Sequence, residues 1–157
     1  MPGGSVTTGT TGSTTGSPFD ASKSAGHYTG QWTDSSLMVS GSATMDIAVN
    51  TTNKTATVMA DAGPNLFGEG DPPADNFSGS YSSSGVTFSG VSNKYGNVTM
   101  TISPTGAVNG GATNVNSSVV DHFTFTGTAT STQLSLNMNV HLLNGTSHTG
   151  TVILNKQ

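Results

Sequence analysis

Carboxylate oxygens gathered on one loop are a common way for a chain without cysteine to hold a hard cation, and one stretch here has them. "GPNLFGEGDPPADN", residues 63–76, carries Glu69, Asp71 and Asp75, with Asp61 just before it, in a protein with only eight acidic residues. Calcium takes about six to eight carboxylate and carbonyl oxygens from a flexible loop, so Asp61, Glu69, Asp71 and Asp75 form a candidate calcium set. The D-x-[DN]-x-[DN]-G order of a recognised calcium loop is missing. A recognition loop is therefore the stronger reading, since long loops on a rigid scaffold more often carry binding. On that reading Leu66 and Phe67, two apolar side chains in mid-loop, join Glu69, Asp71 and Asp75 as the residues that meet a ligand or partner.

The four histidines, His27, His122, His141 and His148, are the other candidates for chemistry. Strand alternation places His27, His122 and His141 on the Thr/Asn/Gln side, where scattered solvated histidines are the expectation. Asp121 and His122 are neighbours in sequence. On a regular strand neighbours point to opposite faces, so no Asp–His dyad is expected there. Serine is abundant, but there is no G-x-S-x-G elbow. Asp20, Asp34, Asp46 and Asp121 stand singly, whereas glycoside hydrolysis needs two acids facing across a cleft. No catalytic residue and no cofactor is nominated, and a non-enzyme is expected; barrel-interior chemistry of the isomerase kind stays as a third reading.

Composition narrows the partners. Only 8% of residues are charged, arginine is absent, and Lys23, Lys54, Lys94 and Lys156 are scattered, so no basic stripe to follow a phosphate backbone is expected and nucleic acid is a poor candidate partner. Without cysteine there is no disulfide framework, thiol nucleophile or thiolate metal centre. No apolar run of about 18 residues occurs, so no transmembrane helix is expected. The polar, nearly uncharged composition suits an extracellular or cell-surface setting, with the periplasm as the further compartment. The opening "MPGGSVTTGTTGSTTG" has neither the basic start nor the apolar stretch of a secretory signal. Either export follows another route or, the preferred reading, an export signal upstream of the given chain has been removed; on that reading the segment is the tether of a processed protein, with a lipid anchor upstream as a candidate.

Residues 1–25 are low-complexity Gly/Ser/Thr and bury too little apolar surface to offset their ordering entropy. They are expected to form a flexible tail ahead of one domain, residues 26–157. From Gly26 onward the hydrophobic period is two. Ala43, Met45, Ile47 and Val49 alternate with polar residues, as do Leu134, Leu136, Met138, Val140 and Leu142; Tyr28/Trp32, Ala56/Val58/Ala60, Phe77/Tyr81, Val86/Phe88, Val98/Met100/Ile102, Phe123/Phe125 and Val152/Leu154 keep the same rhythm. Turn chemistry separates the runs at "NTTNK", "SSSG", "SPTG" and "LNGT". Asn144-Gly145 in the last predicts a type I′ turn, which needs φ > 0 at both residues. The fold expected is all-β: a single antiparallel up-and-down β-barrel of about eight strands, since closure removes the exposed edges of an open sheet.

"HYTGQWT", "SGSATMDIAV" and the short "FSGSY", "FTGTA" and "HTGTVIL" strands resemble the small bacterial calycin-like β-barrels and the barrel domains of surface lipoproteins such as transferrin-binding protein B. Lipocalins carry G-x-W on their first strand, and Gly30-Gln31-Trp32 is similar; the resemblance implies that Trp32 sits near the barrel floor. The function expected is that of a non-catalytic, secreted or surface-anchored β-barrel that binds a protein partner or small ligand at one barrel end. The alternative is self-assembly, as a subunit of an extracellular fibre or surface layer whose N-terminal arm docks on a neighbour.

Overall fold

Alternating strands joined by short turns need a partner on both edges, and here they find it in one ring. The computed structural model describes residues 19–63 and 73–157. A 3-10 turn at Ala21–Lys23 precedes β1 (Gly26–Asp34), β2 (Val39–Asn50), β3 (Thr55–Asp61), β4 (Asp75–Ser82), β5 (Gly85–Ser92), β6 (Gly96–Ile102), β7 (Ala107–Thr113), β8 (Val120–Ala129), β9 (Gln133–Leu142) and β10 (Ser147–Lys156). Each strand pairs antiparallel with the next, and β10 pairs back on β1, with Val152 opposite Trp32, to give a closed up-and-down barrel.

The barrel has ten strands, not about eight. The strand absent from the hydrophobic rhythm is β7, "AVNGGAT", whose inward positions are Val108, Gly110 and Ala112. Two of these three positions carry minimal side chains, and at Gly110 the Phe125 ring of β8 takes the space, since an added Cβ would stand 2.6 Å from it. Small residues erase the alternation that marks a strand. Ten strands enclose a wider lumen than eight.

An aromatic-x-Gly unit recurs in "HYTGQWT", "FSGSY" and "FTGTA", at Gly30, Gly79 and Gly127, and strand spacing explains its glycine. A Cβ on Gly30, Gly79 or Gly127 would meet the neighbouring strand's backbone carbonyl at 1.7 Å (Ile153), 1.9 Å (Thr87) and 1.9 Å (Ser135). Strands approach this closely only where one of them has no side chain. The "LNGT" turn departs from expectation. Of its two central residues only Gly145 has positive φ, at 88°, and its N–H donates to the Leu142 carbonyl while Leu142 N–H donates to that of Thr146. This is a type I turn ending in a left-handed glycine, the three-residue hairpin loop, rather than type I′.

Nine connections join the ten strands, five at the upper end of the barrel and four at the lower. The lower end, where β1 starts and β10 finishes, is closed by residues 19–24 from the low-complexity segment. Phe19 N–H donates to the Pro104 carbonyl, Ala21 and Ser24 are buried, and Asp20 accepts from Ser22 Oγ and N–H. Those two bonds hold the Asp20 carboxyl below its ordinary value. Beneath this cap Tyr28 is only 2% exposed, and its hydroxyl approaches the carbonyls of Ser24 at 2.7 Å and Ser131 at 3.1 Å.

Burial pushes the Tyr28 phenol above its ordinary 10.0. The unfolded chain then loses this proton at a lower pH than the folded one, so the stability it confers is complete below about pH 10 and falls as pH rises further. Denaturant midpoints measured between pH 8 and 11 are expected to decline above pH 10 in the natural sequence. In Tyr28→Phe that decline flattens, and the variant is less stable at neutral pH by about 1–3 kcal/mol because buried carbonyls lose their donor.

Candidate functional site: the barrel cavity and its upper rim

Inward side chains set the character of the lumen. Alternation on β1, β2, β5, β6, β8 and β9 sends Trp32, Met45, Phe88, Met100, Phe125 and Met138 inside, and between them lies a cavity of about 180 Å³. It reaches from Leu134 and Leu154 in the lower half to Trp32 and Ala62 beneath the upper end, and all its lining residues except Thr44, Asp61 and Ser89 are apolar. An engineered apolar void of about 150 Å³ stays dry and admits benzene, so this volume suits a ring or chain of about six to ten carbons. The three methionines add adaptable walls.

Trp32 stands in the upper half of β1, and not at the floor as the G-x-W resemblance implies; Tyr28 occupies the closed end. The indole Nε1–H donates to the Ala62 carbonyl at 2.8 Å, and the ring covers Gly41 directly opposite on β2. Trp32 thereby fixes the point from which the long connection leaves β3, at the roof of the cavity.

The upper end combines apolar and polar groups. Six of the eight exposed large apolar side chains among the described residues are there: Leu37, Met38, Val39, Val91, Val119 and Leu143. Inside this rim Asp34 and His148 face each other from β1 and β10, Oδ2 to Nδ1 at 3.2 Å, with side chains 18% and 23% exposed. Asp34 Oδ1 also accepts the N–H groups of Ser36 and Leu37, which holds the β1–β2 turn. Ser92 Oγ, on β5, donates to Asp75 at 2.7 Å and accepts from the N–H groups of Lys94 and Tyr95. Each carboxylate therefore orders a rim turn.

The sequence-nominated residues fare differently. Asp61 ends β3 opposite Thr44 and accepts from Gly63 N–H, while Asp75 pairs with Ala60 and serves Ser92. These two carboxylates serve different partners. Leu66, Phe67, Glu69 and Asp71 lie outside the described residues. Among the described residues no group of three or more His, Cys, Asp or Glu side chains converges, and no helix is long and apolar enough to cross a membrane.

The sequence reading missed the inward His148, because the short polar opening of β10 gives no parity until Val152. It also missed a dyad. Asp121 Oδ2 and His122 Nδ1 are 2.7 Å apart, contrary to the alternation argument, because the β8–β9 register shifts between Val120 and His122. A bulge there puts one extra residue on β8 and brings the two side chains together. Set against family models and curated proteins, the sequence finds no match.

Proposed function

We propose that this chain is a non-catalytic binding module, secreted or anchored at a cell surface, that takes a small apolar ligand into its barrel through the upper end. The observation that carries this reading is the apolar cavity. An apolar void of about 180 Å³ forgoes about 4 kcal/mol of packing, a large share of a domain's net stability. A core selected for stability alone would fill it, whereas a ligand replaces the lost contacts. The rim loops supply the entrance, and the calycin-like resemblance points to the same use of a barrel interior.

Trp32 is the only tryptophan and lines the cavity, so its emission reports occupancy. Titration with benzene, toluene and n-octanol is expected to change Trp32 fluorescence saturably and to raise the thermal midpoint as bound ligand draws the equilibrium toward the folded state. Ala60→Leu, which adds volume at the cavity wall, should raise stability and weaken binding at least about tenfold, since about 1.4 kcal/mol suffices for that loss. Absence of both responses in the natural sequence would overturn the reading.

A second reading rests on the six exposed apolar side chains of the rim, since apolar patches bordered by polar groups mark protein-binding surfaces. Replacing Leu37, Met38, Val91 and Leu143 by serine would then abolish partner capture while leaving the barrel folded. Assembly through an arm of residues 1–25 is less favoured, because a closed barrel offers no free edge for a neighbour's strand. Monomers by size-exclusion chromatography, unchanged on truncating residues 1–18 so that the Phe19–Ser24 cap is kept, would agree with this order; polymers lost on that truncation would reverse it.

A further inference from the structure

On the outer face of the barrel, away from the cavity, register places two histidines directly opposite each other. His122 of β8 pairs with His141 of β9, and their rings stack with centroids 4.3 Å apart and planes 12° from parallel. Each ring has one nitrogen already engaged. His122 Nδ1 meets Asp121 Oδ2 at 2.7 Å, and His141 Nδ1 meets Ser147 Oγ at 3.2 Å. In both rings Nε2 is the nitrogen left for another partner.

This arrangement has the logic of a metal ligand pair. A histidine that binds a cation through one nitrogen commonly donates its other N–H to a carboxylate, which fixes the tautomer and orientation and makes the imidazole a better donor. Asp121 stands in that position for His122, placed there by the β8 bulge, and a bulge beside a functional residue commonly re-aims a side chain. The side chains of His122 and Asp121 are 40% and 58% exposed, so a hydrated ion reaches them and the rings can tilt to converge. We propose that His122 and His141 bind one divalent transition-metal ion of the imidazole-preferring kind, Zn²⁺ or Cu²⁺, through their Nε2 atoms, with water completing its coordination.

His27 and His148 serve as internal controls. Each has its own carboxylate, Asp46 at 2.6 Å and Asp34 at 3.2 Å, but neither is stacked on a second imidazole. A carboxylate-paired histidine alone should not create the site.

The test is calorimetric titration of the full chain with Zn²⁺, with Cu²⁺ as the tighter competitor expected from the order of divalent affinities. One ion per chain is expected, and His122→Ala and His141→Ala should each weaken binding at least tenfold. Asp121→Asn should weaken it about tenfold, as loss of a carboxylate behind a metal-binding histidine does. His27→Ala and His148→Ala should bind as the natural sequence does. Imidazole NMR signals give a second readout, with those of His122 and His141 shifting alone and together. Thermal midpoints verify that each variant is folded. No saturable binding at millimolar Zn²⁺, or binding unchanged in His122→Ala and His141→Ala, would overturn the proposal.

Discussion

Gly30→Ala is expected to prevent the barrel from closing properly. A methyl group at this position would sit 1.7 Å from the Ile153 carbonyl oxygen, inside covalent-like distance, and the obstructing atom is backbone in β10 rather than a side chain that can turn away. Relief requires β1 and β10 to part, and these strands form the seam between the two ends of the ring. The cost should reach about 3 kcal/mol or more, the upper range for overpacking, and appear as a large fall in the denaturation midpoint or loss of soluble protein. Gly145→Ala is the control. Nothing lies within 4 Å of its added Cβ, so only the positive φ of 88° opposes it, at about 1 kcal/mol. Equal losses in the two variants would show that close strand approach is not what Gly30 provides.

Trp32→Ala should rank beside it. The indole is only 4% exposed, fills the roof of the cavity and donates to Ala62, so truncation enlarges an existing void instead of creating an isolated one. Truncation of a buried aromatic typically costs about 3–5 kcal/mol. Trp32→Phe separates the terms: most of the ring volume remains, the Ala62 carbonyl loses its donor, and a smaller loss of about 1–2 kcal/mol is expected. Circular dichroism during denaturation reads both, since neither variant keeps the fluorophore. A Trp32→Ala protein as stable as the natural one would mean that this side chain does not hold the upper end together.

Most of the barrel was legible because one physical signal, the period of two, survives wherever the inward residues are large. β2 and β9 show it best, with Met45 and Leu134 buried as their alternation required. It failed at β7, where Gly110 makes room for the Phe125 ring of β8 and the next inward residue, Ala112, is small as well, so a tertiary contact suppressed part of the local pattern. The low-complexity lead concealed Phe19, Ala21 and Ser24 for a related reason: small residues suit a tight cap over Tyr28, yet composition alone cannot distinguish a cap from a tether. The cavity was beyond sequence, since volume depends on ten strands facing one another. His122 and His141 required a register, and Asp121 required a bulge, neither of which leaves a mark in neighbouring residue types.

The seam between β1 and β10 joins Asp34 to Gly150 and Tyr28 to Lys156, contacts that span almost the whole described chain. During synthesis the early strands therefore emerge with an unsatisfied edge that only the last strand can cover. Such distant pairing makes folding slow, because loop-closure entropy is lost before the contact forms. The ring of this chain therefore remains open until β10 is available to close it. It also exposes two edges to other copies whenever β10 is missing or delayed. Truncation within β10 should thus yield aggregates rather than a smaller closed barrel, so that ring closure itself reports whether β10 is intact.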